Sequence, residues 1–271
     1  MLVIDPADTK VVRGVTLRRD PAREEAFTVA QLHKEMADFA DMSEVARRQR
    51  LHKHMHNEMQ TLEIAAQSIA DFPEAPWELR MELARQCWDE SRHTALTFRR
   101  LLELGGRKGE FPVMNYEWGV VCMQDTLAGR LYLQNRTFEG GEMDLLRQLT
   151  KVWKEVGDET TSELMDALLA DEVHHVRFAN QWFKKMAEQD RSVLLRMAQS
   201  VGYLRKVTAA MAPEPGEVNA AGVSLTDWAH MEAYTNVEDR LLAGFTEYEV
   251  EQLLRQDMEA TAKAAVPAGS P

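Results

Sequence analysis

CWDESRH at residues 87–93 and LADEVHH at residues 169–175 share one skeleton, Asp-Glu-x-x-His, and each lies inside a run that reads as an apolar-faced helix. Glu90 and His93 are three residues apart, as are Glu172 and His175, so on a helix each pair projects from one face and can grip one ion. A single pair of this kind is common by chance and usually marks a surface ion pair. The faces they occupy decide between the two readings. Steps of three and four from Glu172 collect Met165, Leu168, Leu169, Val176, Ala179, Trp182 and Phe183. The same walk from Glu90 collects Leu79, Leu83, Cys87, Thr94 and Leu101. Both pairs therefore point inward, where carboxylates and imidazoles are costly unless paired or bound to a cation.

A two-metal site between four helices needs one further carboxylate from each of the other two helices. Glu58 lies on the face of Leu51, Met55, Leu62, Ala65 and Ile69 and precedes Glu90 by 32 positions. Glu139 lies on the face of Tyr132, Leu146 and Trp153 and precedes Glu172 by 33. With a rise of about 1.5 Å per residue, an antiparallel turn at "DFPEAP" sets Glu58 level with Glu90. A turn at "EVGDE" sets Glu139 within one helical turn of Glu172. The second match requires one helix to run through Gly140 and Gly141, so the sequence predicts a continuous third helix with a π-type distortion near those glycines.

Asp89 and Asp171, next to the inner glutamates, are placed to accept the free ring N–H of a histidine on the neighbouring helix and so fix its tautomer. Arg92 is a candidate to brace them, with a surface ion pair as the plainer alternative. His174 should face outward, about 100° from His175. His52, His54 and His56 form a cluster without carboxylate-rich spacing, and no separate site is assigned to it.

The rest of the chain bounds the class. Leu, Ala, Met, Glu and Arg are frequent and β-branched runs are few, which favours an all-α fold. Four regions are expected: an irregular N-terminal arm with a partial helix (1–42), the bundle (43–187), a C-terminal helical extension (188–260) and a disordered tail (261–271). The bundle's first helix opens at Ser43 and stops at Pro73, its second runs from about Pro76 to "LELGG", its third from about Tyr116, and its fourth from about Asp158 to Met186. One further helix covers "DRSVLLRMAQSVGYLRKVTAAM", and a last helical piece spans about 225–260.

A net charge of −12 opposes nucleic acid over most of the surface. The basic stretch "ARRQRLHKHMH" at 46–56 is the one local exception, and as a solvated helix face it needs no nucleic acid to explain it. No secretory leader or membrane span is expected. Cys87 and Cys122 form no paired motif, so neither a disulfide framework nor a Cys₄ iron site is available. A cytoplasmic protein is the expectation.

Glu58, "DESRH", Glu139 and "DEVHH" together resemble the metal-binding pattern of the ferritin-like di-iron carboxylate superfamily, over about residues 43–187. More narrowly, "HNEMQTLEIA", "FEGGEMD", "LMDALLADEVHHVRFANQWF" and "NVEDRLLAGFTEYEVEQL" look like a bacterial ferritin-like family catalogued only as a domain of unknown function, whose relatives include di-iron tRNA hydroxylases. The resemblance implies a ferritin-like four-helix bundle with metal ligands Glu58, Glu90, His93, Glu139, Glu172 and His175, and oxygen chemistry at the metal.

Carboxylates and imidazoles with open positions suit two iron ions, with manganese or a mixed manganese–iron pair as the variant. The expected function is a di-iron oxidase or oxygenase that takes dioxygen as co-substrate and hydroxylates, desaturates or N-oxygenates a small organic molecule, fed by an external electron donor. The alternatives are an iron-handling or peroxide-scavenging protein with ferroxidase chemistry only, a tRNA-modifying hydroxylase, and a scaffold with a structural metal. Thr97, one turn past His93, stands where radical-generating relatives resemble a tyrosine, which disfavours that class. A homodimer is expected through apolar surface at Trp118, Trp228 and Tyr234, although each of these also suits a core.

Overall fold

A computed structural model describes residues 2–225 and 234–264 of the chain. Among them, helices dominate and the only sheet is a single two-stranded hairpin, so the fold class is all-α. Helix α1 (Glu44–Asp71) begins where the Ser43 side chain accepts a hydrogen bond from the Ala46 N–H, the usual cap for an otherwise unpaired donor. It stops at Phe72, which Pro73 forces out of helical backbone. Helix α2 (Trp77–Glu103) starts after Pro76 and ends ahead of Gly105, whose φ of 78° takes the chain out of the helix. The short link makes α1 and α2 an antiparallel pair.

The second pair is built differently from expectation at its start. Tyr116–Val121 forms a separate short helix, α3, and the chain turns at 122–126 before a new helix begins. The break has a local cause: the Thr126 side chain accepts from the Gly129 N–H and caps α4 (Leu127–Leu131). From Leu127 onward the rod is uninterrupted through a π-helical segment, Tyr132–Glu139, and α5 (Gly140–Glu155). The distortion therefore lies just ahead of the two glycines. Gly157 (φ 76°) makes the turn, and Asp158 caps α6 (Glu159–Gln189) by accepting from the Thr161 N–H.

α1 packs chiefly on α2 and α5 on α6, and α2 meets α6 across the middle. Leu51 and Met55 of α1, Leu101 of α2, Met143, Leu146 and Trp153 of α5, and Met165, Leu168 and Val176 of α6 share one buried cluster. Burying each such side chain contributes roughly 1.5–3 kcal/mol, and this shared core holds the four long rods at fixed depth.

The N-terminal region corrects the sequence reading. In place of an irregular arm with a partial helix, β1 (Thr9–Val12) and β2 (Val15–Arg18) form an antiparallel hairpin. Arg13 and Gly14 make its two-residue turn, with φ of 45° and 76°, the left-handed pair that matches strand twist. No α-helix forms in 22–40, where His33–Glu35 is a single 3₁₀ turn. The backbone there is held by a distant loop: Ala30 N–H donates to the Val113 carbonyl at 2.7 Å and Val113 N–H to the Thr28 carbonyl at 2.9 Å. Arg23 anchors the strap on α1 through Glu63 at 2.7 Å.

Helix α7 (Ser192–Met211) covers the α4 and π-helical end, placing Val207 and Met211 against Leu133 and Trp118. The last helical piece is two helices among the described residues, α8 (Val237–Leu242) and α9 (Glu247–Ala264), separated by Gly244 at φ 88°. α9 runs into the stretch expected as tail; residues 265–271 and Trp228 lie outside the described residues.

Candidate metal centre

α1 supplies Glu58, α2 supplies Glu90 and His93, the last residue of the π-helical segment is Glu139, and α6 supplies Glu172 and His175. None of the six is more than 1% exposed. Their ligand atoms fall into two sets, each within 4.8 Å: Glu58, Glu90, His93 and Glu172, and Glu90, Glu139, Glu172 and His175. Glu90 and Glu172 belong to both. His93 Nδ1 lies 3.1 Å from Glu90 Oε2 and 3.4 Å from Glu172 Oε1. His175 Nδ1 lies 3.3 Å from Glu90 Oε1 and 3.5 Å from Glu172 Oε2. Each of these two carboxylates thus turns one oxygen toward each imidazole. Glu58 Oε2, 3.2 Å from His93 Nδ1, closes the first set.

The outer ring nitrogens are exchanged between helices. His93 Nε2 of α2 is 3.1 Å from Asp171 Oδ2 of α6, and His175 Nε2 of α6 is 3.3 Å from Asp89 Oδ2 of α2. Each aspartate accepts the Nε2–H, which leaves both Nδ1 lone pairs facing inward. Arg92 joins the two aspartates, donating to Asp89 at 3.2 Å and also to Asp171.

The inward atoms lack partners. Both Glu172 oxygens, Glu58 Oε1 and His175 Nδ1 are buried with no hydrogen bond. Buried anions without partners are strongly unfavourable, and a cation among these atoms satisfies them together. These groups can hold a metal ion.

Without one, protons take its place. Burial, followed by the charge of Glu172, raises Glu90 well above the usual carboxylate range and Glu139 to about 8. Burial also opposes charge on Glu58 and Glu172, but His54 and His93 outweigh it at Glu58, and His175 and His93 at Glu172, so both stay ionised. The imidazolium forms of His93 and His175 are favoured despite burial, His93 chiefly by Glu58 and Asp171, and His175 by Glu172 and Asp89. Asp171 is held low by its hydrogen bond with His93, against burial, and by Arg92.

Several residues around the centre were not assigned to it from the sequence. Three amides surround Glu139: Asn135 donates at 2.8 Å, Gln134 at 3.5 Å, and Gln86 more closely. Glu117 of α3, hydrogen-bonded with Gln134, is pushed up to about 7 by burial. Glu142, three residues past Glu139, and His54, four before Glu58, form a third set with Glu58. Helical spacing alone carried a signal for these last two.

The remaining expectations sort as follows. His174 faces outward and meets Glu82 at 3.1 Å. His52 accepts from the Gly109 N–H at 3.0 Å and is lowered to about 4 by burial; His56, beside Arg23 and Gln60, is lowered to about 3 by burial and then by Arg23. Arg48 pairs with Glu110, Lys53 with Asp38, and Arg50 reaches the Phe39 and Asp41 carbonyls, so the basic stretch is largely engaged within the chain. Trp118 is a core residue whose indole N–H donates to the Arg19 carbonyl at 2.8 Å, and it offers no docking surface. No helix among the described residues is long and apolar enough to cross a membrane.

The sequence profile of a family described as "Protein of unknown function (DUF455)" matches residues 6–251 of the chain. No curated protein and no solved structure matches it.

Proposed function

The chain belongs to the DUF455 family, and we propose that it is an oxidoreductase of the ferritin-like di-iron carboxylate kind, using two iron ions and dioxygen to oxidise a small organic substrate. The observation that carries this reading is the pair of glutamates, Glu90 and Glu172, each dividing its two oxygens between two inward-facing imidazoles. In this reading Glu58 and His93 would hold one ion, Glu139 and His175 the other, and Glu90 and Glu172, which belong to both donor sets, would serve both. The donor set suits iron, with manganese as the variant. A ferrous pair held here would supply two of the four electrons that dioxygen takes up, the oxidised substrate would supply the other two, and an external donor would return the pair to the ferrous state.

The chain's own residues supply orientation, exclusion of water and a proton path. Asp89 and Asp171 keep both imidazoles turned inward, so neither ligand can rotate away without breaking a buried hydrogen bond. Near-complete burial of the six side chains keeps bulk water off the centre. A cavity of about 140 Å³ lies on the α1 and α3 side, lined among others by Asn57, Gln60, Tyr116 and Glu117. It neighbours Glu58 in sequence and in space, and it is the candidate substrate chamber. Glu117 stands between this cavity and Gln134, and a carboxyl group near 7 can hold or pass a proton at neutral pH.

One observation favours the second reading, oxidation of iron with dioxygen or peroxide as the oxidant and no organic substrate: the chamber, about 140 Å³, is small beside the roughly 300–1,000 Å³ of ordinary ligand pockets. A tRNA substrate is less well supported, because the basic stretch is engaged internally. The experiment is anaerobic loading with ferrous iron, metal counting, then oxygen exposure followed optically with and without a panel of small organic amines, acids and alcohols. The oxidase reading expects about two irons per chain and an oxygen reaction whose decay one of these compounds accelerates. Two irons with an oxygen reaction blind to every compound favours ferroxidase chemistry; fewer than one iron overturns both.

A further inference from the structure

A third set of metal-type donors stands beside the cluster, sharing Glu58 with it and adding His54 and Glu142, which the two-metal arrangement leaves unused. His54, Glu58 and Glu142 each bring a ligand atom within 4.8 Å of the others. His54 precedes Glu58 by one turn of α1, and Glu142 follows Glu139 by one turn of α5, so one rod from each helical pair contributes. His54 is 6% exposed and Glu58 1%, while Glu142 retains 16% of its side-chain exposure.

The decisive detail is how His54 and Glu58 meet. His54 Nε2 and Glu58 Oε1 are 2.9 Å apart, yet both atoms are buried and neither takes part in a hydrogen bond. Two buried ligand atoms that converge this closely are placed as co-ligands of a cation. Glu58 is divided accordingly: Oε2 faces His93 at 3.2 Å, and Oε1 faces His54. His54 Nδ1 lies 3.5 Å from Glu142 Oε1, and the three residues' ligand atoms stay within reach of one ion. A second cavity, of about 200 Å³, reaches this point and is lined by His54, Asn57, Leu145 and Leu149 together with the Asp38–Lys53 ion pair.

We propose that His54, Glu58 and Glu142 hold a third divalent first-row transition-metal ion, and that this site is the station through which ions pass from the second cavity to the buried pair. One imidazole and two carboxylates suit manganese, iron, cobalt or zinc over magnesium or calcium. The site stands on its own donors; only its role as an entry station rests on the two-metal reading.

The test titrates the metal-free full chain anaerobically with Co²⁺, counting bound equivalents by elemental analysis and following the ligand-field absorption. Native protein should bind three equivalents. Glu142→Gln, which keeps size and shape at a partly exposed position, should bind two, and His54→Ala should also bind two. His175→Ala should lose cluster cobalt and keep the equivalent that depends on Glu142. Native protein that binds two equivalents, with Glu142→Gln unchanged, overturns the third site and leaves the pair standing. Three equivalents untouched by Glu142→Gln overturn it as well. A single equivalent abolished by Glu142→Gln and retained in His175→Ala keeps the third site and overturns the two-metal reading. Circular-dichroism melting checks that each variant is folded before its metal is counted.

Discussion

Four carboxylates and two imidazoles share a volume nearly closed to water, so positive charge has to be there in one form or another. In the metal-free protein it is carried by protons on Glu90, Glu139, His93 and His175. Two divalent ions replace about the same charge, so loading at pH 7 should release about four protons per pair of ions; a pH-indicator titration giving one or fewer contradicts this picture. The same groups set the stability of the metal-free state. Glu139 rises from an ordinary 4.5 to about 8, so between those values the folded chain keeps a proton that the unfolded chain has lost. Stability therefore falls as pH rises through that window. His93 and His175, held protonated above the ordinary 6.5, steepen the fall in its upper part. Glu58 and Glu172, held low, respond only below about 4.5. The Tm of metal-free protein should drop from pH 6.5 to pH 8, above the range in which the lowered His52 and His56 act in the opposite sense, and that of metal-loaded protein should not; a metal-free Tm that climbs over this interval refutes the assignment. Asp171→Asn should weaken metal binding by about 10–100-fold while leaving the helices intact, measured by competition with a chelating dye. Asp89 and Asp171 were legible in the sequence because each adjoins a candidate ligand. Gln86, Gln134 and Asn135 were not, because an amide on an inner helix face carries no signal until the carboxylate it serves is located in space.

At the level of the element, the π-helical segment decides what surrounds Glu139. Its turns are wider than α-helical ones and close between residues five apart, so both Asn135 and Gln134, four and five residues back, reach the same carboxylate. Thr137 completes the register by donating from its hydroxyl to the Tyr132 carbonyl at 2.9 Å. The distortion expected near Gly140 and Gly141 is there, in the eight residues that end at Glu139, and it is built from residues that have side chains. The two glycines differ in their surroundings. A Cβ on Gly140 would sit 3.0 Å from Arg240 Nη1, whereas one on Gly141 would meet nothing within 4 Å. Arg240 is held by Asp144 at 2.6 Å and cannot yield freely. Gly141→Ala should therefore stabilise the protein by about 0.5–1 kcal/mol through helix propensity, and Gly140→Ala should show a smaller gain or a loss; thermal melting of the two variants separates them, and equal shifts would remove Arg240 from the explanation. The start of α4 was misread for a local reason: "DT" at 125–126 is a capping signal that a long apolar period concealed.

Over the whole molecule, segments outside the four long rods pack against the rod that carries Glu139. Phe245, 8% exposed, lies between the guanidinium groups of Arg136 and Arg240, at 4.3 and 4.8 Å. Arg136 also pairs with Glu249, Arg147 with Asp239, and Asn236 N–H donates to Asp144 at 2.7 Å. α8 and α9 thus clasp the rod that carries Glu139. Phe245→Ala should cost about 3 kcal/mol and weaken the ion bound by Glu139 and His175 more than the ion bound by Glu58 and His93; uniform weakening of both would show that the clasp supports only the fold. The rods, their pairing and the six inner side chains could be read from periodicity and spacing, because helix geometry turns sequence distance into position. The N-terminal strap could not. Its backbone pairs with Val113, a contact between distant residues that leaves no periodic trace, and it overrides the helical pattern of "AREEAFTVAQLHKEMADFA".

The exchange of aspartates and the divided glutamates have a consequence for how the repeat tolerates change. Asp89 steadies the imidazole of the opposite copy, Asp171 returns the service, and Glu90 and Glu172 each face both rings. A substitution in either copy is therefore felt at both imidazoles at once. What looks in the sequence like a motif with a spare offers no backup, and the two halves can diverge only together.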